Sequence, residues 1–124
     1  MSEIQVEFKA DSPLNKAEVT KEAESHLIKR RSGDVLVEVK VISVAEMQKL
    51  NLEFMHKDRP TDVLSFPLSE IPGENQRGKR HIGTITLCSD IIKSNAKTSG
   101  KTEREEFVFV LKHGIDHLLG IHHN

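Results

Sequence analysis

The sequence predicts one compact α/β or α+β domain over residues 1–124, with a mixed, roughly four-stranded sheet packed with helices. Three observations carry that prediction. Short alternating or β-branched runs recur four times, helix-opening signals recur between and after them, and no repeat, linker or low-complexity segment interrupts the series. A chain of 124 residues suits a single hydrophobic core and needs no disulfide or metal to form one.

The elements follow in order. Glu3 to Lys9 alternates, with Ile4, Val6 and Phe8 on one side, and reads as a half-buried strand. Ser12-Pro13 reads as an N-cap with proline at the first helical position, opening a helix to about Arg31 that Ser32-Gly33 stops. Val35 to Ile42 is a β-branched run, hence a central strand. Ser43-Val44-Ala45-Glu46 reads as a capping box for a helix through about Phe54. Met55 to Pro60 is a polar loop, Thr61 to Phe66 a short strand ended by Pro67, and Pro72 to Arg80 an exposed connection. Ile82 to Cys88 is a further strand, after which Asp90 is expected to cap a short helix to about Lys97. Thr102-Glu103-Arg104-Glu105 is a second capping box, and its helix runs to Leu119 before Gly120. The order is β-α-β-α-β-β-α-α.

Composition narrows the function classes. No stretch approaches the roughly 20 apolar residues of a membrane span, and Met1 to Asp11 does not read as a signal peptide. Cys88 is the lone cysteine, which excludes an internal disulfide and suits a reducing cytoplasm. A net charge of −1 does not announce nucleic-acid binding, and Lys29-Arg30-Arg31, Lys57 with Arg59, and Arg77-Lys79-Arg80 read as solvated basic clusters. Trp and Tyr are absent and Phe is scarce, so an aromatic platform for bases is not expected. Contact with RNA would run through phosphate and shape.

The chemistry concentrates near the C-terminus, in His113-Gly114-Ile115-Asp116-His117-Leu118-Leu119-Gly120-Ile121-His122-His123. Residues four apart on a helix lie one turn apart on nearly the same side, so His113 and His117 can reach one ion. Phe107, Leu111, Ile115 and Leu118 cluster elsewhere on the wheel and can pack on a core. Gly120 ends the helix, which allows His123 to return to the same ion, with His122 as a rival. Three imidazoles with an open fourth position describe a catalytic site for one zinc per chain, although nickel or copper also suits these ligands. A zinc peptidase carries Glu directly after its first His, and here that position is Gly114, so peptidase chemistry lacks its base.

The segment His113-Gly114-x-x-His117-Leu118-Leu119-Gly120-x-x-His123 resembles the signature of the YbeY-type endoribonucleases, which are rRNA maturation factors. Leu50-Asn51 followed by Lys57-Asp58-Arg59-Pro60-Thr61-Asp62-Val63-Leu64-Ser65-Phe66-Pro67 resembles a second block of that family, and Ile82-Gly83-Thr84-Ile85 its following strand. The resemblance implies a zinc-dependent endoribonuclease acting on single-stranded RNA, in 16S rRNA maturation and ribosome quality control. The implied partners are an rRNA precursor and the small ribosomal subunit.

Lys57, Arg59 and Ser65 are then candidate substrate contacts, with Asp62 beside them. Three departures accompany the resemblance. Met55 stands where the family has an arginine expected to meet phosphate, Asp116 replaces an apolar residue, and His122 replaces an aspartate. Asp116 is expected as a solvated charge, or as a group orienting water at the edge of the site. The sequence stops at Asn124 where the family continues for a short helical segment, which sets the third ligand beside a chain end. The alternatives are another zinc-dependent hydrolase and a non-catalytic, zinc-stabilised module that binds the ribosome.

Overall fold

The computed structural model describes residues 1–68 and 79–121. Its elements are β1 (Glu3–Phe8), α1 (Lys16–Lys29), β2 (Val35–Ile42), α2 (Val44–Met55), β3 (Val63–Pro67), β4 (Arg80–Cys88), α3 (Ser89–Ser99) and α4 (Glu103–Leu118). The strands form one sheet in the order β1-β2-β4-β3. β1 and β4 both pair parallel with β2, whereas β3 runs antiparallel to β4 along the outer edge. The α+β architecture expected from the sequence is therefore the one observed, with β2 inside the sheet.

The two faces of the sheet differ. Val37, Val39 and Val41 of β2 and Ile85 and Leu87 of β4 are fully buried against Val19, Ala23 and Leu27 of α1 and Phe107, Leu111 and Ile115 of α4. A smaller cluster of Ile42, Met47, Leu64 and Cys88 lies on the other side, with α2. Burial pushes the Cys88 thiol up.

Several boundaries depart from expectation for local reasons. Helix α1 is capped by Asn15, not Ser12, because Asn15 and Glu18 satisfy each other's backbone N–H groups in a capping box. Ser12 instead closes a turn by donating to the Leu14 carbonyl. At α2, Ser43 caps the Glu46 N–H as expected, but the Glu46 carboxylate lies 3.5 Å from Lys9 Nζ. Cys88 occupies the N-cap of α3 without a side-chain bond, and Asp90 sits inside the first turn, where its charge complements the helix dipole. Strand β4 begins at Arg80, since Val35 of β2 offers it a partner two residues before Ile82. Most of the connection expected over Pro72 to Arg80 lies outside the described residues.

Gly83 decides how closely three elements meet. The β2–β4 register jumps from Leu36↔His81 to Val37↔Gly83, which leaves Ile82 as the extra residue of a bulge. Gly83 has φ +144°, and a Cβ there would stand 2.3 Å from the Phe66 carbonyl oxygen and 2.7 Å from Leu118 Cδ2. Only a residue without a side chain lets β3 and the end of α4 approach β4 this closely.

Candidate metal centre and RNA-facing surface

Helix α4 is built to hold its rotation. Thr102 accepts from Glu105 N–H while the Glu105 carboxylate accepts from Thr102 N–H, and three glutamates in the first turn face the positive end of the helix dipole. Phe107, Leu111, Ile115 and Leu118 enter the core as the wheel predicts. At the far end Gly120 is left-handed with φ +78°. Its N–H donates to the His117 carbonyl, and Ile121 N–H donates to the Asp116 carbonyl at 2.8 Å. This is a Schellman turn, and it ends the helix just past Leu118, with Leu119 as C-cap and Gly120 as the left-handed residue.

His113 and His117 share one flank of α4, with ring centroids 5.3 Å apart and planes at 49°. His113 is half-buried and His117 exposed. Two imidazoles bound to one tetrahedral zinc at about 2.0–2.1 Å have centroids roughly 5 Å apart, so the pair fits such an ion. His123, the expected third ligand, and its rival His122 lie outside the described residues. Among the described residues no three His, Cys, Asp or Glu side chains converge as a metal site. The geometry thus brings together two of the three expected donors.

Gly114, between the two histidines, is set by packing. A Cβ at this position would stand 2.9 Å from Ile85 Cγ2 and 3.3 Å from Ser65 Oγ. The Glu of a zinc peptidase cannot be accommodated where the helix touches the sheet. The Ser65 hydroxyl donates a long 3.4 Å bond to the Gly114 carbonyl. Ser65 therefore contacts the histidine helix from β3.

Asp116 corrects an expectation. It is not a solvated charge but 3% exposed. Arg30 donates to it through Nε and a terminal nitrogen, both at 2.9 Å, and His26 Nε2 lies 2.7 Å from Oδ1. That hydrogen bond and the nearby charge hold the Arg30 guanidinium above its ordinary pKa. The contact ties α1 to the last turns of α4, on a side the wheel alone could not distinguish from solvent. Asp116→Ala is expected to destabilise the chain by about 3 kcal/mol, at the low end for breaking a buried pair, because Arg30 can turn to water. Replacing all three partners by apolar residues should cost less, measured by urea unfolding. An equal or larger loss in the triple variant would contradict this account.

Lys57 and Arg59 stand exposed on the loop between α2 and β3, and among the described residues neither side chain has an ion-pair partner. The loop is held from beneath. Asn51, 3% exposed, donates from Nδ2 to the Arg59 carbonyl at 2.8 Å and accepts from Lys57 N–H at 3.2 Å through its own carbonyl. Gln48 donates to Asp58, and His56 takes a left-handed conformation that ends α2. The sequence motif contains Asn51 but does not show its role; the signal for it is an amide on the buried side of a helix. Asp62 is tied locally, its carbonyl accepting from Cys88 N–H and its carboxylate from the Thr61 hydroxyl. Met55 is half exposed at the end of α2.

Comparison with known proteins agrees with this arrangement. Residues 4–124 match the family model described as Endoribonuclease YbeY. Among curated relatives, Endoribonuclease YbeY of Thermotoga maritima is 39% identical over 103 residues, covering 83% of this chain and 63% of that protein. The Sulfurovum sp. protein of the same name is 39% identical over 87 residues, covering 70% of this chain and 59% of its own length. The chain thus spans less than two thirds of the length of both relatives. The solution structure of TM1509 from Thermotoga maritima superposes with a TM-score of 0.63 at 32% identity, covering 98% of this chain and 75% of that one. By its match to the family model over residues 4–124 and its 39% identity to a relative across 83% of its length, this chain belongs to the YbeY endoribonuclease family.

Proposed function

We propose that the chain is a zinc-dependent endoribonuclease that cuts single-stranded RNA, acting in the cytoplasm on the 16S rRNA precursor at the small ribosomal subunit. The observation that carries this reading is the His113–His117 pair, 5.3 Å between ring centroids, in a chain of this family. His113, His117 and His123 would hold one zinc per chain through imidazole nitrogens. A zinc so held supplies Lewis acidity at a phosphoryl oxygen and a water of lowered pKa.

The chain's own residues orient the rest. Gly114 lets α4 seat against Ile85, and the left-handed Gly120 ends the helix shortly after His117. Lys57 and Arg59, on a loop anchored by Asn51, would neutralise phosphate charge. Met55 has no charge or donor for that task, which leaves it to these two cations. Ser65 would contact RNA only from its place beneath the helix, where it already bonds Gly114.

The test is to incubate zinc-loaded and chelator-treated chain with a labelled single-stranded RNA and, separately, with casein. RNA should be cut by the loaded protein alone, and elemental analysis should find one zinc per chain. Cleavage of casein without cleavage of RNA would overturn the reading. RNA binding by loaded protein that never cleaves it would make the chain a binding module.

A further inference from the structure

Phe109 lies off the apolar stripe of α4. Phe107 fills the core and is fully buried, whereas Phe109 is 56% exposed, one turn before His113 on the same helix. Its ring is nearly parallel to that of His113, at 23° with centroids 6.3 Å apart. Lys101, from the turn before α4, sets Nζ 4.3 Å from the Phe109 ring centroid and 3.7 Å from the Glu106 carboxylate. On its other flank Phe109 walls a groove of about 440 Å³ with Val108, Arg104, Lys112, Glu22 and Glu105. The exposed aromatic ring and the histidine pair therefore lie along two turns of one helix, with a lysine from the preceding turn at the ring's face.

Packing does not require a phenyl ring here, since the core is complete without it. A large apolar side chain left in water beside a polar site is the kind of feature that marks a contact. We propose that Phe109 is a stacking platform for a nucleobase of single-stranded RNA, with Lys101 meeting the phosphate of the same or the adjoining nucleotide. The proposal rests on the reading of the chain as an RNA-cleaving protein and assigns the nucleotide next to the cut. A base resting on Phe109 would lie about one helical turn from His113, the nearer of the two histidines proposed to hold the metal. Stacking on an aromatic face tolerates any base, so Phe109 would fix position without choosing sequence. Composition alone argued against an aromatic platform. One well-placed ring suffices.

The test measures binding of the chelator-treated chain, which is expected to hold RNA without cutting it, to two fluorescent oligoribonucleotides by anisotropy. One is intact and the other has abasic sites at internal positions. Phe109→Ala should weaken binding to the intact oligonucleotide about tenfold and leave the abasic one unchanged, and Phe109→Trp should restore the difference. Lys101→Gln should lower the slope of log affinity against log salt by about 0.7, the contribution of one phosphate contact on a single strand. Far-ultraviolet circular dichroism of each variant confirms that α4 is kept. Phe109→Ala binding both oligonucleotides as the native chain does, while zinc-loaded native chain still cuts RNA, overturns the platform alone. A native chain that neither binds nor cuts RNA overturns the platform and the functional reading together.

Discussion

His117→Ala is expected to lower RNA cleavage about a thousandfold and to release the zinc, while leaving the fold intact. His117 is exposed on α4 and contributes no buried apolar surface, so its removal creates no cavity. The Phe107, Leu111, Ile115 and Leu118 stripe and both ends of the helix are untouched. On the proposed ligand set the substitution takes away one of three imidazoles, and a site left with two cannot hold zinc tightly against water. If metal supplies roughly 4 kcal/mol at the transition state, its loss is a factor of about a thousand. The measurements are zinc per chain, the cleavage rate on labelled RNA and the thermal midpoint without metal. Cleavage persisting at the native rate in metal-free His117→Ala would exclude catalysis through this site.

Gly83→Ala is expected to destabilise the chain by about 3 kcal/mol or more, which makes it the most damaging single-methyl change the structure suggests. Two costs combine. At φ +144° an alanine is strained, and its Cβ would press against the Phe66 carbonyl oxygen at 2.3 Å and Pro67 Cα at 2.9 Å. Both contacts are backbone, so no side-chain rotation relieves them. Relief requires β3 to move off β4, and because β3 also packs on α4 that shift disturbs the histidine helix. Urea unfolding should show a lower midpoint with an unchanged slope. Gly33→Ala is the control, because an added Cβ there meets nothing within 4 Å and only the positive φ opposes it. Equal losses at the two positions would mean that backbone strain alone, and not the close approach of β3, governs Gly83.

Much of the fold was legible because its signals are local. Alternation in Ile4, Val6 and Phe8 and the β-branched Val35–Ile42 run mark strands that the sheet contains. Thr102 with Glu105, and Gly120 after Leu119, bound α4 through hydrogen bonds spanning only a few residues. Where two local signals competed, as between Ser12 and Asn15 at the start of α1, the reciprocal bond to Glu18 was the stronger. The same principle covers the candidate metal site in part. The i, i+4 spacing of His113 and His117 is a property of any helix, and their rings meet as the spacing requires.

What the residues determined alone, then, is the order of elements, the amphipathic side of α4 and the histidine pair, since each follows from backbone periodicity or a bond between near neighbours. Tertiary structure alone decided what lies across from those residues. Asp116 became a buried anchor because Arg30 and His26, far away in the chain, are carried to it by α1. Gly114 and Gly83 are required because β3 and β4 come within contact of the helix there. Phe109 stands in water beside Lys101 because the core is already filled by its neighbour Phe107. Periodicity says which side of an element is apolar, but partners distant in sequence decide which polar residues on the other side are buried and which are left to meet a ligand.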